Sequence, residues 1–74
     1  MLDGSKIRQL RLNHGMTCSD LSNLSKKFDV HISKSYLEEL ERGSKDNPSF
    51  NIIETIATIL RVNIDDLRVS WNYI

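Results

Sequence analysis

The stretch Ser33 to Phe50, S-K-S-Y-L-E-E-L-E-R-G-S-K-D-N-P-S-F, decides the fold, because it reads as a short helix, a glycine stop and the start of a second helix. Ser33 is placed to cap the first helix by accepting a hydrogen bond from a first-turn backbone N–H, a group the helix itself leaves unpaired. Leu37 and Leu40 fall on one face at i,i+3 spacing, and Gly43 can take the left-handed conformation that ends a helix. The outer face is left to Lys34, Ser35, Glu38 and Glu39. Pro48 stands just outside the next helix, where its fixed φ aims the chain, and Ser49 is that helix's N-cap.

Working outward, the same grammar recurs. Ile7 and Leu10, with Leu2 outside, suggest a first helix that stops near Gly15, where His14-Gly15 supplies a C-cap. Thr17 opens a second helix in a Thr-x-x-Asp capping pattern with Asp20, and Leu21, Leu24 and Phe28 form an apolar stripe. Asp29 to Ile32 is the connection to the third helix. The fourth helix carries Phe50, Ile53, Ile56, Ala57 and Leu60, the strongest helical periodicity in the chain. Asn63-Ile64-Asp65-Asp66 repeats the capping pattern and predicts a short fifth helix with Ile64 and Leu67 inward. The expected core is Ile7, Leu10, Leu21, Leu24, Leu37, Leu40, Ile53, Ile56, Leu60 and Leu67 in an all-α domain.

Seventy-four residues make one small domain, in a range where a single core is only just sufficient and dimerisation often adds burial. No apolar run is long enough to span a bilayer and no charged-then-apolar signal segment opens the chain, so a soluble, cytoplasmic protein with no membrane partner is expected. The single cysteine, Cys18, cannot form an internal disulfide, and no Cys/His cluster has zinc-ligand spacing. No metal or cofactor is expected. Nor is enzymatic chemistry: His14 and His31 have no recognisable nucleophile beside them, and there is no phosphate-cradling glycine-rich loop.

The formal net charge is zero, but its distribution is uneven. Up to Leu37, Lys6, Arg8, Arg11, Lys26, Lys27 and Lys34 outnumber Asp3, Asp20 and Asp29 by three. From Glu38 onward, Arg42, Lys45, Arg61 and Arg68 are outnumbered by three, by Glu38, Glu39, Glu41, Asp46, Glu54, Asp65 and Asp66. A basic half and an acidic half let one face meet phosphates while another faces water or a partner subunit; an ordinary mixed surface has the same totals.

The final residues have a composition of their own. Val69-Ser70-Trp71-Asn72-Tyr73 alternates as a strand would, while Leu67, Trp71 and Ile74 also fit a helix, so periodicity leaves both conformations open. Large apolar side chains at a terminus suggest a subunit interface or a contact with another domain, with fraying as the plain alternative. The chain therefore divides into residues 1–68, the domain, and 69–74, a tail. Leu67, Val69, Trp71, Tyr73 and Ile74 are the expected contact of a homodimer.

The combination G-M-T…D-L, S-Y-L-E-E-L-E-R-G, N-P-S-F and L-x-V-x-x-x-x-L, in this order and spacing, resembles the lambda-repressor-like helix-turn-helix family, also called the Xre family, over about Leu2 to Leu67. Within it, E-R-G-S-K-D-N-P-S-F-N-I-I-E is similar in style to SinR-type regulators of Gram-positive bacteria. The resemblance implies a five-helix domain that binds double-stranded DNA as a transcriptional regulator of repressor-like type, with residues 33–42 as the helix in the major groove. In such a helix base edges are reached by side chains near the N-terminal end, here Lys34, Ser35 and, one turn later, Glu39. Lys34 can donate to guanine, Ser35 can donate or accept, and Glu39 can accept from cytosine. Tyr36 falls at a family position near the sugar-phosphate backbone. Arg42, Lys45, Asn47, Ser49 and Asn51 around the start of the fourth helix, and Thr17 and Ser19 at the start of the second, are the expected phosphate contacts. The family pattern also pairs Arg11 with Glu41 in a structural ion pair.

Three features depart from the family pattern. Cys18 stands where a glutamine commonly braces the reading helix and a phosphate, and a thiol cannot make those bonds. A helix N-terminus lowers a thiol pKa, which would suit a redox sensor; a small, partly buried residue is the plainer reading. Leu21 to Leu37 is roughly five residues longer than a motif whose turn takes about 3 to 4 residues, so either the second helix gains a turn through Lys26, Lys27 and Phe28 or Asp29 to Ile32 forms a longer loop. Arg61 occupies the glycine position after the fourth helix, implying mild strain or a different turn. Neutral charge, Glu38-Glu39 on the reading face and the apolar tail favour a second function class, a protein-interaction module that binds a partner regulator; a third option, within the DNA-binding class, is an antitoxin whose second role is holding a toxin.

Overall fold

The structure is a computed structural model and describes residues 2–68. Within them the chain forms four α-helices, α1 (Gly4–Asn13), α2 (Cys18–Ser25), α3 (Lys34–Arg42) and α4 (Phe50–Leu60), followed by one 3₁₀ turn, Ile64–Leu67. The all-α expectation holds. The expected fifth helix is corrected to that 3₁₀ turn, because Arg68 is already extended and forms an antiparallel bridge with Leu2, which ends the winding.

Each helix starts where its cap residue predicts. Thr17 Oγ1 accepts from Asp20 N at 3.0 Å while the Asp20 carboxylate accepts from Thr17 N at 3.0 Å, so both halves of the capping box form. Ser33 Oγ accepts from Tyr36 N at 3.1 Å and Ser49 Oγ from Ile52 N at 3.4 Å. Asp3 caps α1 by accepting from Lys6 N at 3.4 Å.

Three helices end in one motif, a left-handed residue whose successor donates its N–H back to a carbonyl five residues earlier. Gly15 (φ 69°) serves α1, with Met16 N to Arg11 O at 3.0 Å, and Gly43 (φ 84°) serves α3, with Ser44 N to Glu39 O at 2.9 Å. In α4 the same place is taken by Arg61, at φ 59° and ψ 45°, with Val62 N to Ala57 O at 3.0 Å. A left-handed conformation costs a residue with a Cβ roughly 1–2 kcal/mol. A cation at a helix C-terminus returns only about 0.3–1 kcal/mol, so the helix dipole does not repay this placement. Arg61→Gly is expected to stabilise the domain by about 1 kcal/mol, after the extra chain entropy that glycine loses on folding, and urea denaturation checks it.

The core is Ile7, Leu21, Leu37, Leu40, Ile56, Leu60 and Leu67, all fully buried, joined by Leu2, Cys18, Ile32 and Ala57. Of the remaining expected core positions, Leu10, Leu24 and Ile53 are only half-buried. Two stripe residues are corrected outright. Phe28 is 38% exposed because α2 has already ended at Ser25, and Phe50 is 57% exposed because the first residue of α4 has no preceding turn to lie against. Leu67 satisfies its core expectation and fails its other one: buried under the chain's own helices, it has no surface left for a two-fold contact. Val69, Trp71, Tyr73 and Ile74 lie outside the described residues.

The start of α1 is held hard against the end of α3. Leu2 N donates to Asp46 O at 3.1 Å and Asp3 N to Leu67 O at 2.7 Å, tying the N-terminal segment to the loop after α3 and to the 3₁₀ turn. At this crossing a Cβ on Gly4 would run into the backbone carbonyl of Leu40, within 2.9 Å of its carbon. Neither backbone can swing aside as a flexible side chain would. Gly4→Ala is therefore expected to cost about 3 kcal/mol, the upper end for overpacking, and a melting curve well below the parent's is the observation that checks it.

Candidate nucleic-acid interface

The helix expected to read bases presents its N-terminal end to solvent. Lys34 and Ser35, its first two residues, are exposed, and the Ser33 cap fixes the backbone from which they project. No carboxylate lies in the first turn of α3 or of α4, so the positive ends of both helix dipoles are left uncompensated. Glu39 is half-buried, and its carbonyl accepts from Ser44 N at 2.9 Å and Lys45 N at 3.3 Å, anchoring the start of the following loop. Tyr36 is half-buried with its ring against the core.

The expected phosphate contacts fall into two groups. Arg42, Lys45, Asn47, Ser49 and Asn51 are all exposed between the last turn of α3 and the first turn of α4, around a buried Pro48. Thr17 and Ser19 are exposed at the start of α2. The cap hydroxyls of Thr17 and Ser49 are used as acceptors by backbone N–H groups, so each keeps its own hydrogen to donate outward. The two groups differ in electrostatics. At α2 the Asp20 carboxylate occupies the first turn and competes with any anion, whereas the α4 start carries no acid.

The Arg11–Glu41 pair is bidentate: Nε donates to Oε2 at 2.8 Å and Nη2 to Oε1 at 2.9 Å, while Nη1 donates to Met16 O at 2.8 Å. The two side chains are 11% and 7% exposed, and the pair joins α1 to the last turn of α3. Glu41's hydrogen bonds hold the Arg11 pKa above its usual value, against the opposing pull of burial. His14 makes a second tertiary cap. Its ring Nε2 lies 2.9 Å from Leu60 O and, facing a carbonyl, must carry the hydrogen.

A family model for the Cro/C1-type HTH DNA-binding domain matches residues 6–69. The chain belongs to this family. It is 31% identical to the HTH-type transcriptional regulator SinR of Bacillus subtilis (strain 168) over 64 residues, 86% of this chain and 53% of SinR, and equally to that of Bacillus licheniformis. It is 34% identical to Control protein C.BamHI of Bacillus amyloliquefaciens over 67 residues, 90% of this chain and 76% of that protein. The chain thus spans about half the length of the SinR sequences it matches. Among solved structures it is similar to SinR, described as the master regulator for biofilm formation, in complex with DNA; the TM-score is 0.75 at 30% identity, covering 85% of this chain and 95% of that one. The resemblance to SinR-type members of the Xre family therefore holds.

Against that family, each departure now has a physical form. Cys18 is buried and its Sγ–H donates to Glu41 Oε2 at 3.4 Å, so the residue at the glutamine position does reach α3, through the ion pair rather than through a phosphate. Burial first, and then Glu41's negative charge, push the Cys18 thiol pKa up, which outweighs the helix N-terminus and runs against a redox sensor. The long connection is resolved as a loop led by one tight turn. Lys26, Lys27 and Phe28 donate to carbonyls three residues back at 3.2, 3.1 and 3.0 Å, and an irregular segment then runs to the Ser33 cap.

Sequence reasoning missed what holds that loop. Ser22 Oγ donates to Ile32 O at 2.7 Å, and Ile32 N donates to Ser25 Oγ at 2.9 Å, with Ser25 in turn donating to Ser22 O at 2.6 Å. All of this is buried, and Ile32 fills the core beside it. The effect is to fix the backbone immediately ahead of Ser33, Lys34 and Ser35. Two serines at i,i+3, each following a leucine of the α2 stripe, were the only available signal, and nothing local distinguishes them from surface serines.

Proposed function

We propose that this chain is a sequence-specific DNA-binding transcriptional regulator that lays α3 in the major groove. The observation that carries the reading is the N-terminal end of α3: Lys34 and Ser35 exposed on a Ser33-capped helix, with no acid in its first turn and with the preceding loop anchored by buried serines. A helix fits the major groove, and side chains at this end reach base edges. Lys34 and Ser35 read bases, with Glu39 one turn later accepting from cytosine. Arg42, Lys45, Asn47, Ser49, Asn51 and Tyr36, and Thr17 and Ser19 from α2, meet phosphates and set position without reading sequence. The stronger phosphate group is the one at α4, whose first turn carries no carboxylate. The likeness to SinR, solved in complex with DNA, supports the same partner here.

One module of this size makes few base contacts, so two copies on a pseudo-palindromic site, with reading helices about 34 Å apart, complete the proposal. The contact belongs to Val69, Trp71, Tyr73 and Ile74, with Leu67 withdrawn from the set. Deleting residues 69–74 is expected to give a monomer with an unchanged helical signal and most operator affinity lost. Full affinity after the deletion rejects this contact.

The deciding experiment is recovery of bound DNA from a genomic library, followed by a gel-shift salt series on the recovered site. Phosphate contacts make affinity fall steeply with salt, with a slope of about −0.9 per phosphate neutralised. A protein-interaction module that has lost DNA binding shows no shift at any salt, and a neighbouring toxin gene would point to an antitoxin that binds DNA as well.

A further inference from the structure

On the face formed by the C-terminal ends of α1, α2 and α4 lies a cavity of about 430 Å³, open on one side. Its size falls within the range of small-molecule sites. Met16, Leu24, Phe28 and Ile59 provide an apolar floor, and Lys27 and Arg61, both exposed, stand at its edge. Among the described residues no carboxylate lines it. The nearby acids Asp29 and Glu54 belong to a separate cavity of about 190 Å³ that shares only Phe28 with the first.

Arg61 is the unusual member. It is the one described residue other than glycine with a positive φ, in a turn that glycine serves at the ends of α1 and α3. The cations here face helix C-termini, which accounts for their sign, but the dipole does not repay a left-handed arginine. Residues kept in a strained conformation gather at ligand clamps, where the side chain has work that the backbone position does not favour.

We propose that this cavity binds a small amphipathic organic anion, a carboxylate or sulfonate on an aromatic or short aliphatic body. The apolar body lies on Leu24, Phe28 and Ile59, and the anionic head meets Arg61 and Lys27. The 38% exposure of Phe28, a large apolar side chain that the core does not cover, fits a surface completed by a ligand. The site stands apart from the DNA reading, and its test contains no DNA.

The test is an NMR titration of the full chain with 2-naphthoate and, separately, with its neutral counterpart 2-naphthalenemethanol. Shifts are expected to concentrate at Met16, Leu24, Phe28 and Ile59, with naphthoate bound about fivefold more tightly than the alcohol, the upper end for one exposed ion pair. Arg61→Gly should remove most of the preference for naphthoate over the alcohol while raising the melting temperature, so lost binding cannot be ascribed to a damaged fold. Lys27→Gln should weaken naphthoate in the same direction. Equal affinity for acid and alcohol, shifts centred elsewhere, or naphthoate binding unchanged in Arg61→Gly would overturn the proposal.

Discussion

Glu41→Ala is expected to leave the domain largely without a cooperative melting transition at room temperature. The substitution strands a guanidinium that is 11% exposed and otherwise has only the Met16 carbonyl, and it also removes the acceptor of the Cys18 thiol. Breaking a buried pair by removing one partner costs about 3–5 kcal/mol, because the remaining charge is neither solvated nor matched. An exposed pair would cost about 0.2–1 kcal/mol, and the burial of both side chains decides between the two figures. A single core of this size rarely supplies more than about 3–5 kcal/mol, so the loss is comparable with the whole stability. Replacing both charges, as Arg11→Met with Glu41→Leu, removes the desolvation cost as well and should be more stable than Glu41→Ala by about 3 kcal/mol or more. Circular-dichroism melts of the two variants make the comparison. If Glu41→Ala melts within a few degrees of the parent, the pair is effectively wet and the account of the α1–α3 joint is wrong.

Removing the two readers together, Lys34→Ala with Ser35→Ala, is expected to erase most of the preference for the operator over random DNA. Each base contact is worth about 1–3 kcal/mol of discrimination, so the double variant forfeits up to about 2–6 kcal/mol, less any coupling between neighbours. Both side chains are exposed and make no bond that holds the fold, so melting should not change. Lys45→Ala is the contrast. It should weaken operator and random DNA alike and flatten the salt slope by about one unit. Competition binding against random DNA at two salt concentrations separates the patterns, and equal weakening for both DNAs in the double variant would remove Lys34 and Ser35 from the reading role.

Much of this molecule is legible residue by residue because its helix ends are local. A serine or threonine hydroxyl reaches an N–H three residues on, and a glycine takes a positive φ, without any help from distant chain; Thr17, Ser33, Ser49, Gly15 and Gly43 all behave as their neighbours in sequence predict. The apolar positions Ile7, Leu21, Leu37, Leu40, Ile56 and Leu60 are equally local in origin, since helical spacing alone puts them on one face. The Arg11–Glu41 pair was visible only through the family pattern, since nothing within either helix indicates a partner 30 residues away.

What the tertiary structure alone decided are the contacts between segments. Phe28 follows a perfect stripe from Leu21 and Leu24, yet α2 ends before reaching it, because Ser22 and Ser25 turn inward to hold Ile32. Leu67 served two expectations until burial assigned it to one. Cys18 had the pKa of a helix N-terminus in sequence and the reverse in the fold, since burial and the Glu41 carboxylate come from other elements. The steric demand at Gly4 exists only because α3 lies across it, with the Leu40 carbonyl where a Cβ would stand. Capping and periodicity depend on a few successive residues, so sequence determines them; desolvation, steric overlap and long-range hydrogen bonds depend on which surfaces meet, and those exist only once the helices have packed.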